Sequence, residues 1–187
     1  MSPKICPTSP AQAIFGEVFT SLSSDSVFAA IKAVSGKAGT LLVVKNYTGD
    51  RLNFGLAVEM ARAEGISVEM VIVDDDVALL KTGQATGARG LAGTVIVHKL
   101  VGGAAAEGKS LAETVTIGRS AVESLATMGV SFSAGTSPTV GKPSFELGAH
   151  EMNLGAATEM EFAIVGRNNN PKRWDVKPAA RTTSSAI

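Results

Sequence analysis

The sequence predicts an α/β fold with a largely parallel sheet, and three stretches carry that prediction. Residues 40–44 and Val68–Val73 are short apolar runs rich in β-branched side chains, the pattern of strands buried on both faces of a sheet. Between them, from Arg51, apolar residues recur at helical spacing as far as a helix stop at Gly65. Strands that alternate with helices in this way are typical of βαβ units, whose strands run parallel.

The remaining elements follow from caps, breakers and periodicity. Serines within residues 21–26 offer caps before a helix that closes at Gly36. Residues 104–128 are helical in pattern, with one break near Gly108. Shorter segments are also predicted: a strand over 13–19, a strand or buried helical turn over 94–97, a strand over 130–133, a loop over 135–143 and an extended segment over 145–148.

Composition limits the classes of function. The chain has 187 residues, 45% of them hydrophobic and 18% charged, which suits one domain with a sizeable core. Its 17 Lys and Arg balance 17 Asp and Glu, so no charge bias points to nucleic acid. The single cysteine, Cys6, excludes an internal disulfide and a Cys-rich metal site. No apolar run reaches the ~18–20 residues of a membrane-spanning helix, and residues 1–12 lack the apolar segment of a signal peptide. These observations predict a cytoplasmic protein without nucleic-acid or membrane partners.

Lys45 and Asp50 are the candidate functional residues. Lys45 sits at the carboxyl end of the first predicted strand, turn chemistry follows, and Asp50 is predicted to be the N-cap of the next helix. Ligands of open α/β sheets bind at that edge. An ammonium and a carboxylate facing one crevice can orient a small polar molecule or move a proton. The alternative is a pair of solvated charges that flank an ordinary strand-to-helix turn.

The motif Lys45-Asn-Tyr-Thr-Gly-Asp50, followed by Asn53-Phe54, resembles the central motif of the substrate-binding (DhaK-type) subunit of dihydroxyacetone (glycerone) kinases. Further blocks agree in the same order, within about Ile14 to Gly155: Gly16-Glu-Val-Phe19, Ala61-Arg-Ala-Glu-Gly65, Gly90-Leu-Ala-Gly-Thr-Val-Ile-Val-His-Lys99, Thr127-Met-Gly129 and Gly141-Lys-Pro-Ser-Phe-Glu-Leu-Gly148. The resemblance implies a partial DhaK-like layered α/β fold and a role in glycerol metabolism.

The same resemblance implies roles for the two candidate residues. Lys45 and Asp50 would bind dihydroxyacetone, and Asp50 would be the catalytic acid/base on the hydroxyl that becomes phosphorylated. The resemblance places ATP and Mg²⁺ in a partner domain or subunit, so no cofactor is expected in this chain. It also implies a homo-oligomer.

The chain departs from the family pattern near both ends. Family members carry further strands and a glycine-rich substrate loop before the region of Gly16, whereas residues 1–12 match nothing in the family. After Gly155 the family continues Gly-x-His-Gly-Glu, and that histidine captures the substrate covalently; here no histidine follows His150. We therefore expect residues 13–155 to form the partial domain, with 1–12 and 156–187 unmatched and disordered. We also expect exposed apolar strand surface, a marginally stable core and no kinase activity of this chain alone.

A frameshift or alternative splicing is our hypothesis for the sequence after Gly155. The codons available to residues 156–162 can, shifted by one base, encode a segment resembling the missing histidine motif. Two further functional classes stay open beside the kinase domain. One is a non-catalytic binding or regulatory module, and the other is a gene-model fragment of such a kinase.

Other motifs carry weaker functional interpretations. Asp74–Asp76 would suit Mg²⁺, although consecutive residues rarely all face one ion, and a polar loop at the strand end is the preferred interpretation. Gly87 and Gly90 do not complete the phosphate-binding P-loop pattern. His150 is interpreted as a surface histidine, and His98 as a residue that hydrogen-bonds locally.

Overall fold

A computed structural model describes residues 14, 16, 20–77, 88–131, 136, 141–143, 153–154 and 161–166, of which 131, 153–154 and 161–166 are described by their backbone. Within these ranges the elements are, in chain order, α1 (Ser24–Val34), β1 (Thr40–Lys45), α2 (Thr48–Ala63), β2 (Val68–Val73), α3 (Gly93–Ala106), α4 (Leu111–Ser124), β3 (Leu125–Ser131), β4 (Asn153–Leu154) and β5 (Glu161–Gly166). None of the helices in these ranges has the length and hydrophobicity that crossing a bilayer requires.

A βαβ unit forms the centre of the fold, as predicted. Strands β1 and β2 pair in parallel, in register from Thr40 opposite Val68 to Lys45 opposite Val73. The connecting helix α2 ends just before Gly65, which adopts a φ of 79° that favours glycine. Thus the helix stop and both strands lie where the sequence pattern puts them.

Helices cover both faces of this strand pair, because successive strand residues point to opposite sides. Val71 and Val73 pack with α3 and α4, whereas Val68 and Leu42 pack with α1 and α2. The first layer has these buried members: Val71, Val73, Val97, Val101, Val115, Ala121 and Leu125. The second has these: Val27, Ile31, Ala57, Val58, Ala61 and Val68. The result is the layered α/β architecture that the sequence predicts.

The helical segment after Gly108 ends earlier than its periodicity suggests. Helix α4 stops at Ser124, and β3 begins at Leu125 instead of continuing as helix to residue 128. The cause is tertiary: Thr127 N–H donates to the Asp75 carbonyl at 2.7 Å, and the Thr127 carbonyl accepts from Val77 N–H at 2.9 Å. This parallel bridge beside β2 needs extended backbone, so it overrides the helical spacing. Residues 94–97, by contrast, resolve into a helix, since α3 contains them.

Strand β3 also forms the centre of an antiparallel sheet with the order β4–β3–β5. In this sheet Leu125 lies opposite Gly166 and Val130 lies opposite Glu161. Strand β5 falls inside the segment 156–187, which was expected to be disordered because its sequence shows no strand or helix period. The backbone of residues 161–166 is a strand instead, because β3 offers it an edge to pair with. The boundaries at 12 and 155 stay a prediction. Residues 1–12 and 167–187, most of 13–19 and all of 145–148 lie outside the described residues.

Candidate functional site

The candidate site lies at the carboxyl ends of β1 and β2. Lys45 is the last residue of β1 and is exposed. The backbone N–H of Asn46 still donates to the carbonyl of Val73, at 2.9 Å, so the strand pairing holds the start of the turn in place. The prediction that Lys45 lies at the carboxyl end of its strand is confirmed by these bounds.

The N-terminus of α2 differs from the prediction. The helix starts at Thr48, its N-cap is Tyr47, and no side chain forms a capping hydrogen bond there. Asp50 is therefore not the N-cap but a half-buried residue of the first helical turn. Thr48 and Gly49 already adopt helical backbone, so turn chemistry placed the boundary too late. The carboxylate still lies at the N-terminal, positive end of the helix dipole.

Residues 88–93 cross the ends of both strands, and we call them the crossing segment. Asn46 donates its side-chain N–H to the Ala88 carbonyl at 2.6 Å, and the Asp76 N–H donates to the Arg89 carbonyl at 3.0 Å. A Cβ on Gly90 would lie 2.4 Å from the Val73 carbonyl oxygen and 2.8 Å from Lys45 Cα. Only glycine permits this approach, so Gly90 has a packing role.

Asp75 joins the crossing segment to β2 and β3. Its side chain is buried, with Oδ1 accepting from Leu91 N–H and Oδ2 from Gly93 N–H, both at 2.7 Å. The Thr127 hydroxyl donates to the same Oδ2. Because Gly93 is the first residue of α3, the Asp75 carboxylate caps that helix from a distant part of the chain.

The structure separates the roles of Asp74–Asp76. Asp74 is exposed, whereas Asp75 and Asp76 are buried. In the part of the chain that the structure describes, no group of three or more His, Cys, Asp or Glu is arranged to hold a metal ion. Sequence reasoning missed the structural role of Asp75. The available signal was Gly93, because a Cβ at that position would lie 2.5 Å from Asp75 Oδ2 and only glycine leaves room for the carboxylate.

Tyr47 is surrounded by charges from three elements. Burial raises the pKa of its phenol, and the guanidinium of Arg89 acts in the opposite direction. The carboxylates of Asp76, Asp50 and Asp75 raise that pKa further, in decreasing order. Tyr47 therefore lies within electrostatic range of the strand end, the first turn of α2 and the crossing segment.

His98 lies on α3 and is in electrostatic range of Lys45. Desolvation lowers the pKa of its imidazole first, and the Lys45 ammonium lowers it further, although part of the side chain remains exposed. The ring is therefore neutral at neutral pH. Sequence reasoning placed His98 in local hydrogen bonding; the structure adds its proximity to Lys45. His150 lies outside the described residues.

This arrangement suits the binding and activation of a small hydroxyl compound. The exposed ammonium of Lys45 can donate to substrate oxygens, and the carboxylate of Asp50 can accept a hydroxyl proton. Both groups come from the two ends of one short turn, which the strand pairing and the crossing segment fix in position.

Comparison with known proteins gives the chain its relatives. The family model for the Dak1 domain matches residues 8–172. The dihydroxyacetone-binding subunit DhaK of PTS-dependent dihydroxyacetone kinase 1 from Listeria innocua is 49% identical over 169 residues, 90% of this chain and 49% of that protein. Triokinase/FMN cyclase of Rattus norvegicus is 50% identical over 153 residues, 81% of this chain and 26% of that protein. The chain thus spans half or less of the length of these relatives.

Solved structures give the same grouping. The dihydroxyacetone kinase from C. freundii in complex with AMP-PNP and Mg²⁺ matches with a TM-score of 0.68 and 41% identity, over 80% of this chain and 28% of that one. The dihydroxyacetone kinase operon co-activator DhaQ matches with a TM-score of 0.72 and 29% identity, over 82% of this chain and 47% of that one.

Proposed function

We propose that this chain, which belongs to the Dak1 domain family, forms part of the dihydroxyacetone-binding domain of a dihydroxyacetone (glycerone) kinase. The observation that carries the proposal is the position of Lys45 and Asp50, which end β1 and open α2 at one edge of the parallel sheet. A ligand of an open α/β sheet is expected at that edge. The relative from Listeria innocua, which is named a dihydroxyacetone-binding subunit, supports this substrate.

The two residues have complementary roles in this proposal. The Lys45 ammonium donates hydrogen bonds to oxygens of dihydroxyacetone and orients the molecule. The Asp50 carboxylate accepts the proton of the hydroxyl that attacks the γ-phosphoryl group. The half-buried setting of Asp50 and the exposed setting of Lys45 support this division, because the base is held in the turn while the cation reaches outward.

We place the phosphoryl donor in a partner domain or subunit. The C. freundii kinase was solved with AMP-PNP and Mg²⁺, and this chain aligns with 28% of it. Dihydroxyacetone and a nucleotide-binding partner are therefore the proposed binding partners, and a homo-oligomer is the proposed assembly.

Titration of the purified chain with dihydroxyacetone, with binding measured by calorimetry or NMR, tests the proposal. Lys45→Met and Asp50→Asn should each weaken binding by about tenfold or more, since a hydrogen bond to a charged group contributes about 1.5–3 kcal/mol. Asp25→Asn is the matched control, because Asp25 is exposed on α1 and far along the chain from the turn. Equal affinity of all four proteins, or no binding by the unchanged chain, would contradict the proposed function.

A non-catalytic regulatory module is the second candidate, and the match to the co-activator DhaQ favours it, with a TM-score of 0.72 against 0.68 for the kinase complex. Both candidates predict no turnover by the chain alone, because phosphoryl transfer needs positioning and charge neutralisation together. They differ once a nucleotide-binding kinase subunit from a relative is added with ATP and Mg²⁺. Turnover that depends on Asp50 supports the kinase domain, whereas dihydroxyacetone binding without turnover supports the regulatory module.

A further inference from the structure

The backbone of Arg89 is fixed against the turn that carries the proposed site. The residue before it, Ala88, accepts the 2.6 Å hydrogen bond from the Asn46 side chain. The residue after it, Gly90, packs so closely that a Cβ there would lie 2.8 Å from Lys45 Cα. The Arg89 carbonyl itself accepts from Asp76 N–H at 3.0 Å. The backbone at Arg89 therefore cannot move without moving the strand end and the start of the turn.

The side chain of Arg89 belongs to a cluster of charges around Tyr47. Arg89 is half-buried, and its cation lowers the pKa of the Tyr47 phenol, whereas the carboxylates of Asp50, Asp75 and Asp76 raise it. Among the described residues, these four are the charged groups that act on Tyr47, and they come from the crossing segment, α2 and the end of β2. One cation thus balances three carboxylates, one of which is the proposed base.

We propose that Arg89 is a positioning residue, which holds Tyr47 and the turn from Lys45 to Asp50 in the geometry that binds substrate. The proposal rests on the function proposed above for that turn. The backbone contacts of residues 88–90 hold the start of the Arg89 side chain beside the turn, and the charge of that side chain opposes the three carboxylates that act on Tyr47. Loss of the cation leaves those carboxylates unbalanced, so the turn shifts and the substrate site loosens.

The first experiment measures Tyr47 directly, because the chain contains a single tyrosine and tyrosinate absorbs distinctly in the ultraviolet. Arg89→Gln should raise the pKa of Tyr47, since the guanidinium lowers it, and Arg89→Lys should keep it close to the original value. Arg119→Gln is the control with the same loss of net charge, because Arg119 is exposed on α4 and is not among the groups that act on Tyr47. The proposal is overturned if Arg89→Gln leaves the pKa of Tyr47 unchanged, or shifts it no more than Arg119→Gln does.

The second experiment links the cluster to substrate. Arg89→Gln should weaken dihydroxyacetone binding by about tenfold, the change that a shift of 1.4 kcal/mol produces. Arg89→Lys, which keeps the charge, should retain most of the affinity. Unchanged affinity in Arg89→Gln, in a chain that binds dihydroxyacetone, overturns this inference alone. No binding by the unchanged chain overturns the proposed function as well.

A folding control accompanies both measurements. Urea unfolding establishes that each variant is folded before it is titrated. Where Arg89→Gln does not unfold cooperatively, Arg89→Met replaces it, because methionine also removes the cation and should therefore raise the pKa of Tyr47. A pKa of Tyr47 that Arg89→Met leaves unchanged overturns the proposal in that case.

Discussion

The helices α4 and α3 begin in contrasting ways. In α4 the Ser110 hydroxyl accepts from Glu113 N–H at 3.3 Å, and the Glu113 carboxylate accepts from Ser110 N–H at 2.9 Å, which is a complete local capping box. In α3 the N-cap is Ala92, which makes no side-chain capping bond. The N–H of its first residue, Gly93, and the N–H of Leu91 just before the helix are bound instead by Asp75, which lies far away in sequence. One helix is capped by its own sequence, and the other by tertiary contact.

The difference follows the position of each helix relative to the candidate site. Helix α3 starts at the carboxyl edge of the sheet, beside the crossing segment and Lys45, where its capping group also holds β3 through Thr127. Helix α4 starts on an exposed segment. The contact that caps α3 is therefore also the contact that assembles the site. Damage to that cap should reach the site, whereas damage to the cap of α4 should stay local.

The largest effect is expected from Asp75→Ala. It leaves the N–H groups of Leu91 and Gly93 and the hydroxyl of Thr127 buried without their acceptor. Each such group costs about 1–3 kcal/mol, so we expect the free energy of unfolding to fall by about 3–5 kcal/mol. Urea unfolding measures this change.

Asp74→Ala is the control for that variant, because Asp74 is adjacent but exposed. It should stay within about 0.5 kcal/mol of the unchanged chain. Equal losses in both variants would show that Asp75 does not cap α3.

Two glycines of α3 offer a second test, with opposite signs. A Cβ on Gly93 would lie 2.5 Å from the Asp75 carboxylate oxygen, whereas nothing lies within 4 Å of a Cβ on Gly103. Gly93→Ala should therefore destabilise the fold by about 1–3 kcal/mol. Gly103→Ala should stabilise it by about 0.5–1 kcal/mol, because alanine favours the helix. Thermal unfolding of the two variants measures both changes. A Gly93→Ala variant as stable as the unchanged chain would contradict the close packing of Asp75 against Gly93.

The same contrast separates what the sequence could predict from what it could not. The βαβ unit was predictable, because β1, α2 and β2 each carry their own periodicity and Gly65 marks the helix stop. Lys45 at the strand end followed from that pattern. The first turn of α2 was placed too late, since Tyr47 caps it without a recognisable capping side chain.

Features that depend on distant partners were not predictable. Residues 125–128 look helical by periodicity, but the hydrogen bonds between Thr127 and Asp75 make them a strand. The role of Asp75 itself depends on Gly93, and that of Arg89 on the contacts of Ala88 and Gly90. Short apolar segments such as β5 become strands when a pairing edge is available, and no local pattern records that edge.

The smallest effect is expected at the locally capped helix. Ser110→Ala removes the hydroxyl that accepts from Glu113 N–H and donates to its carboxylate. Loss of an N-cap serine costs about 1 kcal/mol, and this loss should leave the Tyr47 titration and dihydroxyacetone binding unchanged. Urea unfolding gives the stability, and the two site measurements show whether the damage stays local. An altered Tyr47 titration would contradict the separation of the two helix starts.

The cap of α4 also predicts a pH dependence. Hydrogen bonds from the Ser110 hydroxyl and the Ser110 N–H lower the pKa of Glu113, which is 4.5 without such contacts. A carboxyl whose folded pKa is depressed stabilises the fold above its unfolded pKa and loses that contribution as the pH falls through the folded pKa. The free energy of unfolding should thus fall as the pH is lowered from neutral through the folded pKa of Glu113. This fall should be smaller in Ser110→Ala than in the unchanged chain. Ser124→Ala, which removes an exposed hydroxyl bonded to the Ser120 carbonyl at the other end of the same helix, should keep the full acid loss. Identical acid profiles in both variants would mean that the Ser110 hydroxyl does not stabilise the Glu113 carboxylate.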